Sequence, residues 1–171
     1  PTGTGDLTCV DATKYSSETT VEGCRDISFT TLSATAKLPF EEKEKWLRGQ
    51  LKELTESWEA GHIVVKVRRS HLVEDAVTAF SQIKTESMRK VFRFEFIGEP
   101  GLDAGGVARE FYTTVSEALF DPTFGLFLYS AINQMCVRIN PSSAMAVDNH
   151  LVYFKTAGRI LGKSLMDHHM T

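Results

Sequence analysis

Four groups of residues in this chain are of types that do chemistry. The first is Gly158-Arg159-Ile160-Leu161-Gly162-Lys163-Ser164, whose Gly-Lys-Ser ending is half of a phosphate-cradling loop. That motif needs four residues between its glycines, and here three separate Gly158 from Gly162. The segment also sits inside a helical pattern and not between a strand and a helix N-terminus, where phosphate is held. Its expected role is packing: two small residues one turn apart admit a neighbouring element, with Lys163 in solvent. The second group, Asp167-His168-His169, has the side chains of a metal site. His62, His71 and His150 fall in separate elements with no acidic cluster at ligand spacing, so a polar helix end is expected and no metal. The third group is the three cysteines, Cys9, Cys24 and Cys136, without CxxC or Cys/His spacing. A nucleophilic thiol needs cationic neighbours or a helix N-terminus. Cys136 lies in an apolar run and is expected to be a small buried side chain. The fourth is the glycine-rich stretch from Gly98 to Gly106, read as a structural corner with Asp103 accepting backbone N–H groups at a helix start. Arg109 and Glu110, just inside that helix, are expected on its solvated surface. No Gly-x-Ser-x-Gly elbow occurs, and no acid–base carboxylate pair is visible.

The elements that would position these groups follow from periodicity. After Leu38-Pro39-Phe40 an acidic start leads into Leu47, Leu51, Leu54 and Trp58 on one helical face, ended by Gly61. Ile63 to Val67 is short and β-branched, hence a strand, and Ser70 is expected to cap the next helix, whose buried face is Leu72, Val73, Ala76, Val77, Phe80 and Ile83. Phe92, Phe94 and Phe96 alternate with Arg93 and Glu95, the pattern of a half-buried strand. Val107, Phe111, Val115 and Ala118 mark a helix stopped by Asp121-Pro122. Phe124 to Tyr129 is an apolar aromatic segment, and Met135 to Ile139 reads as a strand before the Asn140-Pro141 turn. A last helix runs from about Asn149 with Leu151, Phe154, Ala157, Gly158, Leu161 and Leu165 inward. The fold class is α+β, helix-dominant, with short strands.

Residues 1–37 are rich in Ser, Thr and Gly without an apolar stripe and read as an arm or linker; residues 38–171 read as one ordered region. Of the 171 residues 24% are charged, and 19 basic against 22 acidic side chains give a net charge of -3. Neither nucleic acid nor a membrane surface is therefore an expected partner. No apolar stretch is long enough to span a bilayer and no signal sequence opens the chain, so a reducing compartment is expected, cytoplasmic and/or nuclear. The chain begins at Pro1 and ends in the pattern of a helix, which reads as a fragment.

Taken together, the blocks have a resemblance. Gly98-Glu99-x-Gly101-x-Asp103-x-Gly105-Gly106-x-x-Arg109-Glu110-Phe111 resembles the opening signature of the HECT domain of ubiquitin ligases. Asp121-Pro122 with Gly125-Leu126-Phe127, the Asn140-Pro141-Ser142-Ser143 turn, and His150-Leu151-x-Tyr153-Phe154-Lys155-x-x-Gly158-Arg159 resemble that family's next blocks in order and spacing. Upstream, Val67-Arg68-Arg69-Ser70-His71 is similar to the lead-in of the large HECT ligases. Thr156 departs from the pattern, standing where an aromatic is common, and implies a different packing of that helix.

The resemblance implies the N-terminal part of the N-lobe of a two-lobed HECT domain. It implies an E3 ubiquitin-protein ligase, a transferase of the ubiquitin pathway, that accepts ubiquitin from an E2 conjugating enzyme as a cysteine thioester and passes it to a substrate lysine. The family's catalytic cysteine and most of its E2-docking subdomain lie further on, so no catalytic residue and no cofactor is expected here, and the protein substrate stays unassigned. Thr8-Cys9 precedes the signature and is not the family's thiol. Tyr129, in Leu126-Phe127-Leu128-Tyr129, matches a tyrosine that contributes to a non-covalent ubiquitin exosite in one branch of the family. The alternative expectation is a non-catalytic, ubiquitin-binding interaction module.

Overall fold

The computed structural model describes residues 28–100 and 104–169. Its elements are α1 (Phe29–Thr35), α2 (Phe40–Leu54), β1 (His62–Val67), α3 (Leu72–Gln82), β2 (Val91–Phe96), α4 (Ala104–Phe120), β3 (Phe127–Tyr129), β4 (Val137–Ile139), α5 (Ser143–Ala146) and α6 (His150–Met166). Long helices with short strands make this the helix-dominant α+β fold that the periodicity predicts. The chain divides after Leu54 into two units.

In the first unit, most of the stretch read as an arm lies outside the described residues. Its end forms α1, because Ser28 caps it by accepting from Thr31 N at 3.2 Å. Helix α2 carries Glu41 and Glu42 in its first turn, where negative charge suits the helix dipole. It ends at Leu54, about two turns short of the expected reach to Gly61. Trp58 belongs instead to a separate turn in the second unit and stacks on His62 with ring centroids 4.2 Å apart.

The second unit is built on β1 and β2, which pair in parallel from His62 opposite Val91 to Val67 opposite Phe96. One face of this pair is buried through Val65, Val67, Phe92, Phe94 and Phe96, as the alternation predicts. Phe111 of α4 stacks on Phe94 at 4.1 Å and lies parallel to Phe80 of α3 at 6.2 Å, while Tyr112 meets Phe94 edge-on at 5.1 Å. Burying each such ring contributes about 1.5–3 kcal/mol, so this aromatic layer anchors α3 and α4 to the sheet. The α3 face is the expected one. Ser70, however, does not cap α3: its Oγ bonds to His71 Nδ1 at 2.8 Å, and His71 occupies the cap position.

Helix α6 packs on α3 and α4 by a face different from the one its leucines suggest. Thr156, Ala157, Ile160, Lys163 and Ser164 are buried, Phe154 and Leu161 are half-buried, and Leu151, Gly158 and Leu165 are exposed. A Cβ added at Gly158 or Gly162 would meet open space, so these glycines admit no neighbouring element. The small residues at 156, 157 and 164 allow the close approach. Lys163, expected in solvent, is 1% exposed. Its ammonium donates to the Lys90 carbonyl and to Asp167 Oδ1, each at 2.8 Å, and lies 4.6 Å from the centre of the Phe92 ring. Asp167 Oδ2 accepts from the buried Tyr112 hydroxyl at 2.8 Å. Burial, and then the charge of Asp167, push the Tyr112 hydroxyl far above the ordinary phenol range. Arg159 Nη1 donates to the carbonyls of Phe80 and, at 2.9 Å, Ile83, closing the C-terminal end of α3.

Because removing one partner of a buried pair leaves the others desolvated, Lys163→Ala is expected to lower unfolding free energy by about 3 kcal/mol in urea denaturation. Lys155→Ala, at an exposed position of the same helix, is expected to stay within about 0.5 kcal/mol of the parent.

Candidate functional site

Two constellations assemble from the sequence blocks, the first around Arg68 and Arg69 where β1 ends. The Arg68 backbone N–H and Nε donate to Asp75 Oδ2 at 2.8 and 2.9 Å, and Nη2 donates to Oδ1. This grip, chiefly the side-chain hydrogen bond, holds the Asp75 carboxyl down at about 2. Arg69 Nε and Nη2 donate to the two carboxylate oxygens of Glu99, and Nη1 pairs with Glu110 Oε1 at 2.8 Å. The guanidinium also lies over the Phe96 ring, 4.1 Å from its centre. Arg69 holds the Glu99 carboxyl below its usual range.

One guanidinium thus joins the end of β1, the turn after β2 and the first turns of α4. Gly98 opens that turn at φ 90°, a left-handed backbone that glycine adopts without strain. Gly101 and Asp103 lie outside the described residues, with the capping role expected of Asp103. Gly105 and Gly106 fall within α4, which starts earlier than its apolar pattern does. Glu110, expected to be merely solvated, is exposed and ion-paired, whereas Arg109 is exposed without a partner among the described residues.

The second constellation braces a hairpin. Strand β3 pairs antiparallel with β4, Phe127 opposite Ile139 and Tyr129 opposite Val137. At the base, Phe127 is buried against Phe120 (4.7 Å) and Phe154 (5.5 Å). Asn140 Nδ2 donates to the Gly125 carbonyl at 2.7 Å, the Asn140 backbone N–H donates to the Leu126 carbonyl, and Asn140 Oδ1 accepts from Ser142 N. Pro141 sits between these Asn140 bonds, in the turn. Gly125, at φ 93°, leaves no room for a side chain, since an added Cβ would lie 2.7 Å from Ala146 Cβ. Ser143, buried at the start of α5, hydrogen-bonds His150 Nδ1 at 2.9 Å and so ties α5 to α6.

Beyond this base the hairpin carries apolar side chains in water: Tyr129 is 60% exposed, Ile132 98% and Met135 93%. Large apolar side chains left in water beyond a buried base make this hairpin the candidate contact surface of the second unit. Cys136, expected to be buried in a strand, is exposed in the turn before β4. Its Sγ accepts from Asn133 Nδ2 at 3.5 Å, and among the described residues it is paired with no histidine or cationic group. Cys9 and Cys24 lie outside the described residues. Sequence reasoning named Lys163, Asp167 and Arg69 but not their pairings, and it missed Tyr112. The four-residue spacing of Lys163 and Asp167 was a readable signal of their contact; for Tyr112, and for the sharing of Arg69 by Glu99 and Glu110, there was none.

No family model matches the chain. It is 38% identical over 133 residues to the E3 ubiquitin-protein ligase HUWE1 of Mus musculus, covering 78% of this chain and 3% of that protein. It is 36% identical over 127 residues to the E3 ubiquitin-protein ligase NEDD4 of Mus musculus, covering 74% of this chain and 14% of the relative. With the E3 ubiquitin-protein ligase HECW2 of Homo sapiens it shares 44% identity over 114 residues, covering 64% of the chain and 7% of the relative. The chain belongs with the HECT-type ubiquitin ligases. It corresponds to part of the HECT N-lobe, and it spans at most 14% of the length of these three relatives.

The HECT signature blocks therefore have physical roles in this chain. Glu99 and Glu110 share Arg69, Asn140 holds Gly125, Ser143 holds His150, and Arg159 closes α3.

Asp75 titrates lower folded than its ordinary 3.8, so its contribution to stability is complete above about pH 4 and is lost as pH falls toward 2. Asp75→Asn is expected to lower the melting temperature at neutral pH and to flatten the acid limb of its pH profile. A variant whose acid limb matches the parent's would remove Asp75 from that role.

Proposed function

We propose that this HECT N-lobe segment is a scaffold within an E3 ubiquitin-protein ligase whose thioester chemistry is carried by a cysteine elsewhere in the protein. In the parent enzyme, that thiolate attacks the thioester carbonyl joining ubiquitin to an E2 conjugating enzyme, and the E2 thiol departs. A substrate lysine amine then attacks the new thioester and releases the ligase thiol. The observation that carries the scaffold reading is the environment of Cys136, an exposed turn residue bonded to an amide and without a base. We further propose that the hairpin bearing Tyr129 holds ubiquitin non-covalently. Supporting this are the ubiquitin-ligase relatives and the exposure of apolar side chains beyond a braced base. Tyrosine suits such a surface because it combines large apolar area with a hydroxyl that tolerates water. A non-catalytic ubiquitin-binding module would use the same hairpin, and the sequence of the parent protein beyond this segment separates the two. Residues 1–37 act on this reading as a connecting arm, and the protein works in the cytoplasm and/or nucleus.

Given an activating enzyme, a conjugating enzyme, ATP and ubiquitin, the isolated chain is expected to form no reducible ubiquitin adduct on a non-reducing gel. An adduct abolished by Cys136→Ala would overturn the scaffold reading. For the hairpin, Tyr129→Ala is expected to cost at least about 1 kcal/mol of ubiquitin affinity in an NMR titration. Its melting temperature should hardly change, since the ring is exposed. A fall of several degrees with ubiquitin shifts retained would place Tyr129 in the core and not at a ubiquitin contact.

A further inference from the structure

We propose that Met135 makes the hairpin's hold on ubiquitin sensitive to peroxide. The inference rests on the hairpin being the ubiquitin surface, and it adds a chemical means of turning that surface off. Its basis is the placement of one thioether. Met135 is 93% exposed. The turn that carries it is tied: its own N–H donates to Asn133 Oδ1 at 2.9 Å, Cys136 N donates to the Asn133 carbonyl at 3.0 Å, and Ser130 N donates to the Cys136 carbonyl at 2.8 Å. The side chain is thus offered to solvent by an ordered turn, alongside Tyr129 and Ile132. The other described methionines differ. Met88 and Met166 are half-buried, and Met145, though exposed, lies in α5 and not on the hairpin.

Hydrogen peroxide is the oxidant. A sulfur lone pair attacks one peroxide oxygen, the O–O bond breaks, the thioether is oxidised by two electrons to the sulfoxide, and the peroxide is reduced to water. The product is polar where the parent side chain was apolar. A surface that binds through exposed apolar area then loses part of that area. Methionine sulfoxide reductase reverses the change and thiol reductants do not, which separates it from oxidation of the neighbouring Cys136.

The chain is treated with hydrogen peroxide and then with dithiothreitol to restore its thiols, and mass spectrometry confirms one added oxygen at Met135. Affinity for isotope-labelled ubiquitin is then measured by NMR. The dissociation constant is expected to rise at least about fivefold and to recover after methionine sulfoxide reductase. Met135→Gln should bind weakly before any oxidation and lose little more afterwards, while Met145→Leu should bind like the parent and keep its full sensitivity. Equal binding by the oxidised and untreated chains overturns the inference while leaving the ubiquitin surface in place. So does a Met145→Leu chain that has become insensitive. No binding by the untreated chain overturns the ubiquitin surface and this inference together.

Discussion

A buried ammonium sets the geometry of the second unit. Lys163 lies on the packed face of α6, and a charge in that position is tolerated only when its donors are taken up and an opposite charge is at hand. The Lys90 carbonyl just before β2, the Phe92 ring within β2 and the carboxylate of Asp167, the residue just after α6, meet that demand together. Each partner belongs to a different level of the structure, so satisfying Lys163 determines the rotation of α6 and its position along the sheet. Asp167 in turn accepts from Tyr112, which carries the constraint into α4 and the aromatic layer. A helix that met the core by Leu151 and Leu165 would strand all three polar groups. On its actual face Lys163 and Ser164 are buried with their hydrogen bonds made, beside the apolar Ala157 and Ile160.

Around this center the HECT blocks act as ties between elements distant in sequence. Arg69 gathers two glutamates from the turn after β2 and from α4, and Asn140 reaches back to Gly125. Arg159 satisfies carbonyls at the end of α3 that the helix itself leaves open. Surface ion pairs of the Arg69 kind are individually weak. Their value here is geometric, because one planar guanidinium can face two carboxylates and an aromatic ring only when three segments have converged.

The contrast between the two ends of the hairpin connects packing to function. Its base is buried and hydrogen-bonded through Phe127, Gly125 and Asn140, whereas its far end places Tyr129, Ile132 and Met135 in water. Apolar side chains cost stability when left in water and add affinity when a partner covers them, so a rigid base beneath them limits the entropy lost on binding. The same exposure that suits Met135 to contact leaves its sulfur open to chemistry.

The amino-acid sequence by itself determined the helix-dominant α+β class, the face of α3, the alternation of β2 and the HECT membership. Each of these rests on local periodicity or on blocks of residues in order, which a chain carries whether or not it is folded. It also showed why Gly158 to Ser164 is no phosphate loop, since the spacing fails. Only the tertiary structure decided which face of α6 is inside, that Lys163 is buried, that Cys136 is exposed and that Ser70 caps nothing. Helix α6 has apolar residues on most of its circumference, so periodicity cannot orient it; the choice is made by hydrogen bonds to Lys90, Phe80 and Ile83 and, through Asp167, to Tyr112, which span between 55 and 79 residues of the chain. Cys136 reads as a strand residue because its neighbours are apolar, but the register of β3 with β4 starts the pairing at Val137 and leaves the thiol in the turn. Pairing register and the satisfaction of buried charge are properties of segments brought together, and no single segment encodes them.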